Sequence, residues 1–227
     1  MYKTYKIILL IVLINFSFPS YSHVKHYENL NQIKFEIYRN NKHIGEHTFT
    51  FLRSGDELSV KSKINFKIKK LGVVLYQYYA EGTEVFKDGK LTKFESETNQ
   101  NKKIKFVKLK LNNNEYDING SSYKGKAPTN YLLGTWWNHS IVNAPAQISA
   151  VSGRIIHQKV TFLGNEQIKI GNKNYDTLHF NFSSSDKKLS KNKKLNTDIW
   201  YDEKTLNWVK ASFNKKGKWE YRLVFIE

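Results

Sequence analysis

Residues 57–69, ELSVKSKINFKIK, decide how the rest of the chain is read. Leu58, Val60, Ser62, Ile64, Phe66 and Ile68 fall on one parity, and Glu57, Ser59, Lys61, Lys63, Asn65, Lys67 and Lys69 on the other. Successive side chains of a strand point to opposite faces, so this pattern predicts a β-strand with one dry face and one basic, solvated face. At about 3.3 Å per residue it runs on the order of 40 Å, far beyond the usual strand. Strands of that length belong to strongly curved or barrel-like sheets.

Alternation extends outward in both directions. Residues 33–39 and 43–53 read as a hairpin turned by Asn40, Asn41 and Lys42, with Gly45, His47, Phe49 and Phe51 on one face. Asparagine tolerates the left-handed backbone that such turns need. Residues 73–86 are apolar on both parities, Val74, Tyr76 and Tyr78 against Val73, Leu75 and Tyr79, which predicts a strand covered on both sides. Strands follow at 91–98, 103–111 and 115–118, and the change of apolar phase between Phe106 and Val107 predicts a bulge. Residues 121–153 do not alternate. There Thr129 is placed to cap a short helix over 130–137, with Trp136 and Trp137 turned inward in a crossover that covers one opening of the sheet. Alternation resumes at 154–163, 166–170, 175–184, 197–202, 206–213 and 218–226. The fold class is therefore all-β: an antiparallel meander of about eleven to thirteen strands, curled as a barrel or half-barrel or packed as a sandwich. Lysine on the outward parity of residues 57–69 argues against a membrane-spanning barrel, whose lipid face must be apolar.

Residues 1–22 read as an export signal: Lys3 and Lys6 form the basic start, residues 7–18 the apolar run, and Ser20-Tyr21-Ser22 the cleavage pattern. The expected product is one β domain over 23–227, periplasmic or secreted. With no cysteine among 227 residues, lipid attachment at a lipobox, disulfides and thiolate chemistry are excluded. The formal charge of +17 directs attention to anionic partners, a membrane or polysaccharide surface. Arginine occurs only at 39, 53, 154 and 222, so specific nucleic-acid recognition, which leans on the guanidinium fork, is not expected. Abundant Lys, Asn and Ile follow equally from an AT-rich coding genome. Residues 185–196, SDKKLSKNKKLN, read as a solvated loop or as an arm for anionic surfaces.

His43-Ile44-Gly45-Glu46-His47 matches a zinc-peptidase pattern that works on a helix. On a strand the two imidazoles stand about 13 Å apart, too far to share one metal. No metal or organic cofactor is expected. His47 shares parity with Phe49 and Phe51, and Glu84 with Tyr76 and Tyr78, so each is either a satisfied core group or half of an acid–base pair. The aromatics Tyr76, Tyr78, Tyr79, Trp136, Trp137, Trp200, Tyr201, Trp208 and Trp219 suit a cavity for an amphipathic or glycan ligand, and suit an ordinary β core as well.

The hairpin FEIYRNNKHIGEHTFTF, the segment YQYYAEGTEVFKDGKLTKFESET, Trp137-Asn138, Gly153, Gly164 and Ile199-Trp200-Tyr201 resemble a family of exported bacterial proteins classed as a domain of unknown function. The resemblance runs from about Phe35 to Leu223 and implies no activity. Its family positions are Ile44, Gly45, His47, Tyr76, Tyr78, Glu84, Gly89, Trp137, Asn138, Trp200 and Tyr201. At the level of fold the chain also looks like the half-barrels of lipoprotein carriers, an analogy that argues function weakly. Together these readings lead with a ligand site for a lipid or other amphiphile at His47, Tyr76, Tyr78, Glu84, Trp136, Trp137, Trp200 and Tyr201. An envelope lipid or glycan enzyme using His47 and Glu84 is the alternative, and a binding module for anionic polymers a third.

Overall fold

The computed structural model describes residues 27–190 and 193–227. The export segment and its cleavage point lie outside the described residues. The first meander consists of β1 (Gln32–Arg39), β2 (Lys42–Ser54), β3 (Glu57–Lys70), β4 (Val73–Lys87), β5 (Lys90–Gln100), β6 (Lys103–Asn112), β7 (Glu115–Gly120) and β8 (Tyr123–Pro128). The two-residue β9 (Leu132–Leu133), a 3-10 turn over His139–Asn143 and β10 (Ala146–Ile148) make the crossover. The second meander is β11 (Ile155–Ile170), β12 (Lys173–Ser184), β13 (Asn196–Asp202), β14 (Trp208–Asn214) and β15 (Lys218–Ile226).

All fifteen described strands belong to one sheet, ordered β8-β7-β6-β5-β4-β3-β2-β1-β15-β14-β13-β12-β11-β10-β9. The two meanders join where β1 pairs with β15, the first strand with the last. Pairing is antiparallel except between β9 and β10. The sheet is a curved half-barrel. Its edge strands do not close a ladder, and the loop after β10 lies across the concave face instead. Ser122 N–H donates to Ser152 O at 2.9 Å, and the Ser96 hydroxyl to Ala150 O at 2.6 Å.

Local chemistry explains the hairpins. At Asn40-Asn41, Asp88-Gly89 and Asn113-Asn114 both turn residues have positive φ, which asparagine, aspartate and glycine adopt at little strain. Such turns match the right-handed twist of the strands they connect. The dry parity read from residues 57–69 faces the concave side, where Leu58, Val60 and Phe66 are buried. Phe35, Phe49, Phe94, Leu109 and Trp208 from other strands and Trp137 from the crossover complete the core.

Three local expectations are corrected. Residues 130–137 form no helix: Gly134 N–H bonds to Ile148 O, β9 runs beside β10, and Trp136 has a left-handed φ of 63°. A side chain at Gly134 would strike Gln147, so the chain there is pressed flat against its neighbour. β6 carries no bulge, because its register with β5 and with β7 is unbroken. Val107 and Leu109 face the core while Ile104 and Phe106 face outward and are exposed, so the two apolar phases belong to two faces. The start of β4 is not covered on both sides. Val73 (62%) and Leu75 (56%) are exposed on a ribbon where β3 and β4 run past their neighbours, since β5 begins to pair with β4 only at Tyr78.

Candidate functional site

The concave face holds a cavity of about 350 Å³. Its origin is a row of small inward residues. Ser62 on β3, Gly82 on β4 and Ser96 on β5 stand in register, with Ala80 one inward position along β4. Where the flanking strands β2 and β6 carry Phe49 and Val107 in the same row, these positions carry almost nothing, and the sheet leaves a void. Gly134, Thr135, Trp136 and Gln147 of the crossover form its roof, and Trp208 and Tyr221 line it from the second meander.

His47 stands in the wall, packed among Phe35, Phe49, Trp208 and Tyr221 with ring centroids 4.2 to 6.4 Å away. Burial drives its pKa down to about 3, so the imidazole is neutral. A neutral imidazole offers one donor and one acceptor. Neither ring nitrogen has a hydrogen-bond partner among the described residues. The indole N–H groups of Trp136 and Trp208 are also buried and unpartnered. Each such group costs about 1–3 kcal/mol while it stays unsatisfied, so four of them around one void are an unusual concentration. Burial raises the Tyr78 phenol to about 12, which keeps it protonated, with Thr98 and Gln100 pulling the other way.

The orientation of Gln147 follows from its neighbours. Gln158 Nε2 donates to the carbonyls of Ile141 (3.0 Å) and Ala144 (2.9 Å), which only accept. Its Oε1 must then accept from Gln147 Nε2, at 2.6 Å. That leaves Gln147 Oε1 on the side of Gly134 as a fixed acceptor in the roof.

The residues expected from sequence divide among three places. His47, Tyr78 and Trp136 line the cavity. Glu84 and Trp137 form a separate buried pair, the indole N–H donating to Glu84 Oε1 at 2.9 Å. Burial pushes the Glu84 pKa up to about 7, opposed by the hydrogen bonds of Trp137 and Thr135. Tyr201 holds the roof, its hydroxyl donating to Trp136 O at 3.0 Å. Tyr76 packs on Phe66 beyond the cavity. Trp200 lies on the other face of β13, stacked on His179 and bonded to Glu166.

His47 and Glu84 are not brought together. His47 pairs with Ile64 and Ile64 with Ala80, so Glu84 stands two strands over and four residues along. That is about 16 Å at ordinary strand spacing. His43, the other histidine of the zinc-like pattern, is exposed on the same strand. Sequence reading missed Ala80, Gly82, Ser96, Gln147 and Tyr221, and named Trp208 only among the aromatics at large. Small residues on an inward parity were the available signal, and Ser62 already stood out on the dry face of residues 57–69.

Residues 35–224 match the profile of a family described as "Domain of unknown function (DUF6134)". Among solved structures, the chain is similar to the beta-barrel-like protein of domain of unknown function DUF1849 from Brucella abortus. The TM-score is 0.60 at 8% identity, covering 87% of this chain and 98% of that one. A DUF1329 family protein from Desulfovibrio piger gives a TM-score of 0.27 at 9% identity, covering 90% of this chain and 89% of that one. The first likeness concerns fold alone, and the second carries no argument. No curated protein matches the chain.

Proposed function

Starting from the fact that this chain belongs to the family described as a domain of unknown function (DUF6134), we propose that it binds an apolar or amphipathic ligand, of the lipid class, inside its half-barrel. The observation that carries this reading is the cavity between Ser62, Gly82 and Ser96, ringed by aromatics and by the unpartnered polar atoms of His47, Trp136 and Trp208. Apolar walls with a few fixed polar groups are the usual make-up of a small-molecule site. A volume of 350 Å³ holds roughly a dozen methylene-sized groups. The ligand is therefore short, or only one part of it is enclosed.

The test is native mass spectrometry of the protein purified gently from its own envelope, followed by organic extraction. A stoichiometric amphiphile that is absent from an Ala80→Leu variant supports the reading. A protein that carries nothing and takes up no fluorescent acyl probe removes it. The basic start and apolar run of residues 1–22 support a site of action outside the cytoplasm. Among the described residues no helix is long and apolar enough to cross a membrane.

A specific observation favours a second activity, docking on an anionic membrane surface. The tip of the β3–β4 ribbon presents Leu71 (95% exposed), Val73 and Leu75 beside Lys67, Lys69 and Lys70. Apolar side chains inside a basic collar fit an interface of acyl chains beneath anionic headgroups. The distance between His47 and Glu84 gives the acid–base enzyme reading no comparable support.

A further inference from the structure

The cavity does not open directly to bulk water on every side. Trp136, Ile156, Leu195 and Lys215 line it and also line a second, more open space of about 450 Å³. That vestibule is completed by Arg154, Lys193, Lys194, Asn196, Thr197, Phe213 and Asn214. Four of its residues are cationic and none is acidic. Among the described residues, none of the four cations forms an ion pair with a carboxylate. The nearest polar contact of Arg154 is with a neutral group, its guanidinium reaching Lys193 O at 3.4 Å.

Lys105 of β6 adds to the same field. It pairs with Thr98 and shares its inward face. Its pKa is lowered by burial first, and then by the charges of Lys103 and of Lys215, the latter a vestibule residue. Glu81 is the one carboxylate residue in the cavity lining, and its side chain is taken up by Tyr79 and Lys63 on the outer face. Like charges gathered around a concave opening repel one another, and a bound anion relieves that repulsion. Trp136 stands between the two spaces, with its left-handed backbone and unpartnered indole N–H.

We propose that this vestibule is an anion subsite, so that the ligand is a single-chain amphiphile whose phosphate or carboxylate head lies among Arg154, Lys193, Lys194 and Lys215. The chain then passes Trp136 into the void between Ser62, Gly82 and Ser96. This inference rests on the cavity reading above and gives that ligand its charge. Three lysines and one arginine attract charge without enforcing a bidentate geometry, so phosphate and carboxylate heads are both accepted.

The experiment titrates the full mature protein with an alkyl phosphate, an alkyl alcohol and an alkyl trimethylammonium of equal chain length, and with inorganic phosphate, reading tryptophan fluorescence. The alkyl phosphate should bind at least about tenfold more tightly than the alcohol, the effect of one charge-assisted hydrogen bond. The preference should shrink as salt rises. Arg154→Gln with Lys194→Gln should abolish it while alcohol affinity stays. Lys61→Gln with Lys169→Gln, which removes the same charge from exposed strand positions, should leave it intact. Equal affinity for phosphate, alcohol and ammonium overturns the anion subsite but leaves the cavity reading standing. Failure of every chain-bearing probe overturns both. Inorganic phosphate binding as tightly as the alkyl phosphate shows a free-anion site unconnected to the cavity and overturns the proposal.

Discussion

His47 and Glu84 respond to pH in opposite directions. Glu84 has an ordinary value of 4.5 and is held near 7 in the fold. Between those values the fold keeps a proton that the unfolded chain releases, so stability falls as pH rises. His47 is lowered from 6.5 to about 3, so the unfolded chain takes up a proton that the fold refuses, and stability falls as pH drops below 6.5. From pH 4.5 to 6.5 the two contributions oppose each other. Glu84→Gln should expose the His47 slope, a gain of about 1.4 kcal/mol per pH unit on raising pH, and His47→Phe the reverse slope. Urea midpoints at the two ends of that window check both. Gly45 makes a different demand: an added Cβ would lie 2.0 Å from Asn65 O and 2.4 Å from Phe66 Cβ. Because backbone must move, Gly45→Ala should cost about 3 kcal/mol, the upper end of overpacking penalties, as read by denaturant unfolding.

At the scale of single elements, the β3–β4 hairpin and the crossover depart most from what alternation implies. Residues 73–75 were legible as apolar on both parities, yet periodicity says nothing about how far a strand outruns its neighbours. Register decides that, and here it leaves Val73 and Leu75 in solvent. Leu71→Ser with Val73→Thr and Leu75→Thr should therefore shift stability by no more than about 0.5 kcal/mol. The same substitutions should reduce sedimentation with anionic vesicles severalfold, whereas unchanged sedimentation would discard the docking role of the tip. The crossover was legible as non-alternating and as aromatic. Its path was not, because it is fixed by partners distant in sequence: Glu84 for Trp137, Tyr201 for Trp136, and Ser96 for Ala150.

For the molecule as a whole, the seam between β1 and β15 carries the architecture. Seven register pairs tie residues 33–39 to residues 219–226, and Gln32 and Glu227 exchange backbone hydrogen bonds beyond them. Neither meander can present a finished concave face without the other, since Phe35 packs on Trp208 at 4.0 Å across the seam. Removal of residues 218–227 should abolish cooperative unfolding in circular dichroism and near-ultraviolet spectra. A fold dominated by such distant pairings should also refold in milliseconds to seconds rather than microseconds, as stopped-flow fluorescence will read.

The sequence by itself determined the all-β class, the position of most strands, the Asn- and Gly-built hairpins and the inward parity that carries His47, Tyr78 and Ser62. Those follow from two-residue periodicity and from local turn chemistry, which neighbouring residues set among themselves. Only the tertiary structure decided that Ser62, Gly82 and Ser96 fall in one row and so leave a void. It alone separated Glu84 from His47, put Trp200 on the outer face, and gathered Arg154, Lys194 and Lys215 at one mouth. Register and curvature make those decisions, and both depend on pairings between strands up to the full length of the chain apart.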